Sequence, residues 1–142
     1  MSHLLLAVDG SEQAQKAANR TLELAKALDA KVTIVSVAVP APAPIHWSGT
    51  HFYYDQLLDK QKEQANKILE KAKEFFTGHS LEVDTVLRIG DPADEICQLC
   101  NTQNFSMVIL GSRGLTGIKR VIIGSVANYV IQCSKIPVLV IK

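Results

Sequence analysis

Short unbroken apolar runs alternate along this chain with stretches in which apolar residues recur every three or four positions. The first run, "HLLLAV" (3–8), ends at Asp9 and reads as a strand buried on both faces. In the following "GSEQAQKAANRTLELAKAL", Ala14, Ala17, Ala18, Thr21, Leu22, Ala25 and Leu28 repeat at helical spacing, with Ser11 as cap and Glu12 in the first turn. "KVTIVSVAV" is β-branched and predicts a second strand. "PAPAPIHWSGTHFYY", with three prolines, predicts an irregular connection. A long helix follows on the stripe Leu57, Leu58, Gln61, Ala65, Ile68, Leu69, Ala72, Phe75 and Phe76, with Gly78 as its stop. "LEVDTVLRI" begins with one-sided alternation, Leu81, Val83, Thr85 and Leu87 against Glu82 and Asp84, which predicts an edge strand. Asp91 and Pro92 open a third helix, "FSMVIL" is a central strand, "SVANYVIQC" a fourth helix and "PVLVIK" a fifth strand.

The order β-α-β-α-β-α-β-α-β predicts a single α/β domain spanning residues 1–142, a parallel sheet covered by helices on both faces. Ligands of such sheets bind beyond the carboxyl ends of the strands, where strand order reverses. Asp9 and Gly111 both sit at strand ends and would flank that crevice if the first and fourth strands are neighbours.

Composition narrows the function. Fifteen basic and 14 acidic residues leave a net charge of +1, without the basic excess that duplex nucleic acid requires. The opening apolar run, Leu4 to Val8, is too short for a secretory leader or a membrane span, so a soluble cytoplasmic protein is expected. The three cysteines are an odd number in a chain able to build its own core, so a disulfide framework is not expected. Cys97 and Cys100 fall on the stripe of the third helix and read, like Cys133, as core residues rather than as a metal or redox site.

Candidate chemistry concentrates in "LGSRGLTGIKRVIIGSVANYVI" (110–131), which holds four glycines, two Gly-Ser pairs and the cations Arg113, Lys119 and Arg120. Glycine allows close backbone approach and positive φ, so such a loop can aim N–H groups at an anion. The start of the fourth helix adds further N–H groups and a positive dipole end. With the hydroxyls of Ser112 and Ser125, the set suits a di- or triphosphate; the alternative is a flexible connector with solvated cations. Neither the P-loop pattern nor Gly-x-Gly-x-x-Gly is present.

The spacing Gly-x2-Gly-x9-Gly-Ser, from Gly111 through Gly114 to Gly124 and Ser125, resembles the nucleotide-binding signature of the universal stress protein family. "LLLAVDGSEQA", "GDPADEI", "MVILGSRG" and "PVLVIK" extend that resemblance over nearly the whole chain. The resemblance implies a five-stranded parallel sheet in the order 3-2-1-4-5 and a bound ATP, with ADP or AMP as alternative working ligands. It implies Ala7, Val8 and Asp9 beside the adenosine and Val37 against adenine. Leu110, Gly111, Ser112, Arg113 and Gly114 would serve ribose and phosphate, and Gly124, Ser125 and Val126 the phosphates at the helix start. Arg113 stands where family members vary. The resemblance also implies a homodimer through an unpaired fifth strand, Val138 to Ile141.

Asp9 could help hold a Mg2+ bound by the phosphates, or serve only as a helix-entry carboxylate. His46 and His51 flank an aromatic loop whose spacing fixes no metal geometry. Two function classes remain. One is an ATP-binding regulatory module; the other is a slow ATPase or nucleotidyl transferase using the same pocket, for which no base beyond Asp9 stands out. Flavin in the same sheet is a third possibility, and it would colour the protein yellow.

Overall fold

The computed structural model describes residues 1–41, 50–113 and 123–142, with 50–53 described by their backbone. In chain order the elements are β1 (His3–Ala7), α1 (Glu12–Leu28), β2 (Lys31–Ala38), α2 (Thr50–Gly78), β3 (Asp84–Ile89), α3 (Pro92–Thr102), β4 (Met107–Gly111), α4 (Ser125–Cys133) and β5 (Val138–Ile141). The strands form one parallel sheet in the order β3-β2-β1-β4-β5. This is the α/β architecture, and the strand order, expected above.

The central strands lack polar alternation because both of their faces are covered. Leu4, Leu6, Ile34 and Ile109 pack with Ala14, Ala17, Leu22, Leu69 and Phe76 on the α1/α2 side. Leu5, Val35, Val108 and Leu110 pack with Ile96, Leu99 and Val130 on the α3/α4 side. β3 is an edge strand with exposed Asp84 and Thr85, but its regular pairing begins at Asp84 rather than Leu81. β5 is the other edge: it pairs with β4, and its four residues are half-buried.

Helix starts follow their capping residues. The Ser11 hydroxyl accepts from the Ala14 N–H at 3.1 Å, and the Asp91 carboxylate accepts from the Asp94 N–H at 3.1 Å ahead of Pro92. α2 ends at Gly78, as expected, but the left-handed residue beyond it is Ser80 (φ 61°) rather than the glycine itself. Asp29 (φ 49°) ends α1 in the same way, and Leu28, at the edge of the α1 stripe, is half exposed. The backbone of α2 begins at Thr50, inside the stretch expected to be irregular.

The cysteine expectation is corrected. Cys97 on α3 and Cys133 on α4 form a disulfide with Cα atoms 6.1 Å apart, and Cys100 is the free, buried thiol. Parallel helices on one face of the sheet bring together two side chains 36 residues apart, which an odd cysteine count cannot reveal.

Candidate functional site

Beyond the carboxyl ends of β1 and β4 lies a cleft of about 230 Å³. Its walls come from three junctions. At the end of β1, Ala7 and Val8 are buried, and the Val8 N–H extends the pairing to the Val35 carbonyl at 2.9 Å. The chain then turns at Gly10 (φ 84°), and Asp9 Oδ1 accepts from the Ser11 N–H at 2.9 Å. The helix-entry role of Asp9 is therefore present in the geometry. Its carboxylate is also exposed at the cleft, so the same side chain can face a ligand.

The second junction is the end of β4. Leu110, Gly111, Ser112 and Arg113 line the cleft, with Leu110 and Ser112 buried. The Ser112 N–H donates to Ile141 O at 2.7 Å, tying this segment to β5, and Ser112 O accepts from the Gly124 N–H at 2.6 Å. The third junction is the start of α4, where Gly124, Ser125, Val126 and Ala127 complete the wall. Unlike α1 and α3, this helix has no side-chain cap. The first intrahelical bond after the cap runs from the Asn128 N–H to Gly124 O at 2.9 Å, so the Ser125, Val126 and Ala127 N–H groups have no intrahelical acceptor.

Neither glycine of this wall with a described environment relies on unusual backbone angles. Gly124 has φ −64°, open to any residue, so of the two reasons for glycine only close approach applies there. A Cβ there would lie 3.1 Å from Ser112 O and 3.4 Å from Arg113 Cα. A Cβ on Gly111 would lie 2.6 Å from Gln13 Cβ in the first turn of α1.

Eleven of the twelve residues expected at a nucleotide site therefore border one cleft: Ala7, Val8, Asp9, Val37, Leu110, Gly111, Ser112, Arg113, Gly124, Ser125 and Val126. Gly114, with Lys119 and Arg120, lies outside the described residues, as do His46 and Trp47. The remaining wall was not expected. Val35 lies two residues before Val37 on the same face of β2, and Pro92 and Ile96 lie one turn apart on α3. Together with Ala7 and Leu110 they give the cleft an apolar patch continuous with the α3/α4 core layer. The signal for Val35 was the strand period; for the α3 pair there was none, because spacing does not say which helix covers the cleft.

Charged groups lie at the margins. Tyr129 on α4 lies close to Asp94 on α3, whose carboxylate, by hydrogen bonding and by charge, with the charge of Asp91, raises the phenol pKa above its ordinary value. Arg88 pairs in register with Val37, and its Nε is buried without a hydrogen-bond partner. Among the described residues no three His, Cys, Asp or Glu side chains cluster as a protein-only metal site. No described helix is long and apolar enough to cross a membrane.

A profile described as the Universal stress protein family matches residues 1–142. The chain belongs to the universal stress protein family. It is 33% identical to Universal stress protein YxiE of Bacillus subtilis (strain 168), over 98% of this chain and 97% of that protein. The universal stress protein UspA from Lactobacillus plantarum shares the fold at a TM-score of 0.88 and 23% identity, covering 99% of this chain and 97% of that one. The Archaeoglobus fulgidus member solved in complex with dAMP has a TM-score of 0.72 at 22% identity, covering 100% of this chain and 98% of that one. Other solved members of similar fold are described with AMP, from Arabidopsis thaliana, and with cAMP.

Proposed function

We propose that this universal stress protein binds an adenine nucleotide, ATP in its working form, in the β1/β4 cleft, and that occupancy regulates its association with partner proteins. The observation that carries the reading is the division of the cleft. An apolar patch, built by Val35, Val37, Leu110 and Ile96, suits a base. A second patch carries the uncapped α4 start with Ser112 and Ser125, where N–H groups and hydroxyls suit phosphate oxygens. The solved relatives with AMP, dAMP and cAMP support the adenine assignment.

Mg2+ would enter with the nucleotide. Asp9 offers one exposed carboxylate, which fits an ion held mainly by phosphates and water and does not fit a protein-only site. The protein would work as a cytoplasmic homodimer joined through β5, whose outer edge has no strand partner among the described residues.

The test is calorimetric titration of the parent and of Gly124→Val with ATP and Mg2+, with circular dichroism to establish folding. A valine at this position would push the α4 start away from Ser112, so binding is expected to vanish in a folded protein. Ser125→Ala should lose affinity only partly, because its N–H remains. A folded Gly124→Val protein with parental affinity would refute the phosphate assignment.

A further inference from the structure

The three cysteines of the chain lie along the seam between α3 and α4, away from the residues that line the cleft. The seam is held at several levels. Near its start Tyr129 on α4 lies close enough to Asp94 on α3 for that carboxylate to raise its phenol pKa. Near its end Asn101 Nδ2 donates to Cys133 O at 3.0 Å, and Asn101 Oδ1 accepts from the Lys135 N–H at 2.9 Å. The Cys97–Cys133 bond lies between these levels. Its two ends differ in access: Cys97 is 7% exposed, whereas Cys133 is only partly buried. Cys100 stands one helical turn beyond Cys97 at 2% exposure, and burial raises its thiol pKa, with a hydrogen bond to Ser134 opposing. It is held as a neutral thiol, the unreactive form.

Two features argue against a purely structural bond. Cys97 is buried in the α3/α4 layer and Cys133 packs against it, but both layers are built mainly by Leu, Ile, Val and Phe side chains, and a chain of 142 residues can bury such a core without a staple. The Asn101 bonds also join the ends of α3 and α4 independently of the disulfide, so both thiols are expected to stay near each other when it opens.

We propose that Cys97 and Cys133 form a reversible redox-modification site, opened and closed by a small thiol–disulfide couple of the glutathione class, with Cys100 a bystander. In the opening direction a small thiolate attacks Cys133 Sγ, the sulfur of the less buried residue of the pair. The Cys97–Cys133 bond breaks, and Cys97 leaves as a thiolate that takes up a proton. A second small thiolate attacks the small-molecule sulfur of the mixed disulfide, releasing Cys133 as a thiolate that is then protonated. The products are a small disulfide and two protein thiols; two electrons have passed from the small thiols to the protein pair. Closure is the reverse.

The full-length native protein is equilibrated in reduced or oxidised glutathione, quenched in acid, alkylated under denaturing conditions and mapped by peptide mass spectrometry. In the oxidised buffer one alkylated cysteine is expected, Cys100, and in the reduced buffer all three. Cys100→Ser should leave the transition unchanged, and Cys133→Ser should abolish the Cys97 bridge. Three alkylated cysteines after oxidation would overturn the proposal. So would a bridge that millimolar reduced glutathione opens only after the protein is unfolded, or a bridge mapped to Cys100. None of these readouts depends on nucleotide binding.

Discussion

Gly111→Ala adds one methyl group where β4 ends against the first turn of α1. An ideal Cβ at this position would lie 2.6 Å from Gln13 Cβ, 2.9 Å from its carbonyl carbon and 3.1 Å from its carbonyl oxygen. Carbon atoms pack best at about 3.5–4.0 Å, so the overlap with the nearest carbon approaches 1 Å. Two of the three atoms are backbone, and no rotamer of Gln13 moves them. α1 is itself anchored by the Ser11 cap and by Ala14, Ala17 and Ala18, all buried. Overpacking of this kind costs about 1–3 kcal/mol. Replacing glycine also stiffens the unfolded chain, which returns about 0.4–1 kcal/mol. The expected net loss is therefore about 1–2 kcal/mol, roughly a 5- to 30-fold change in the folded-to-unfolded ratio. Gly78→Ala is the control. No atom lies within 4 Å of its Cβ position at the end of α2, so the unfolded-state gain stands alone and the protein should become more stable by about 0.5 kcal/mol. Urea unfolding of both variants, with slopes unchanged from the parent, measures the contrast. If Gly111→Ala is neutral or stabilising, β4 and α1 do not meet as described.

Saturating ATP with Mg2+ at about a hundredfold over its Kd should add about 2.7 kcal/mol and raise Tm by several degrees, with a much smaller rise from adenosine; equal shifts would show that phosphate is not read. Arg113→Ala should weaken ATP severalfold, and more at low salt than at high salt, a comparison made by titration at two ionic strengths. In β5 the carbonyls of Pro137 and Ile141 accept from Val108 and Ser112, so the strand period turns the N–H of Val140 outward. Val140→Pro should therefore leave the β4 ladder intact and convert a β5-joined dimer to monomer in sedimentation; an unchanged dimer would place the interface elsewhere. His3 has its pKa lowered from 6.5, chiefly by burial, with Asp84 opposing and Lys31 assisting. The unfolded chain then binds more protons between the folded value and 6.5, so this contribution is complete above 6.5 and is lost as pH falls through the folded value. His3→Gln should flatten the fall of urea midpoint on acidification just below pH 6.5, and an unchanged slope would show that His3 is not its source.

The sheet was legible because burial on both faces writes a strand as an unbroken apolar run: Leu4, Leu5 and Leu6 serve both layers in turn. Features set by distant partners were not legible. Cys97 and Cys133 meet because α3 and α4 lie side by side, and nothing local to either residue encodes that. Pro92 and Ile96 reach the cleft for the same reason. At the helix ends the position was legible and the conformation was not: α2 stops at Gly78, but the left-handed residue is another. Glycine is the usual left-handed stop, yet Ser80 and Asp29 adopt that conformation, since short polar side chains tolerate it when tertiary contacts fix the turn.

Gly111 and Gly124 of the candidate site show how a pattern read for a ligand can also answer a need of the chain itself. In sequence they read as places where backbone approaches a ligand. In the structure, Gly111 makes room for Gln13 and Gly124 makes room for Ser112 and Arg113. These are contacts of the chain with itself, and they come before any ligand. With a side chain at 111, the β1–α1 turn carrying Asp9 could not close on the end of β4. With one at 124, the Gly124 N–H could not stay 2.6 Å from Ser112 O. The α4 start would then move outward with the Ser125 and Val126 N–H groups. The motif spacing thus encodes the assembly of three chain junctions into one wall. On the proposed function, phosphate recognition by that wall would follow from the assembly, so stability and binding should fall together at 111, whereas Ser125→Ala should weaken binding and leave stability nearly unchanged.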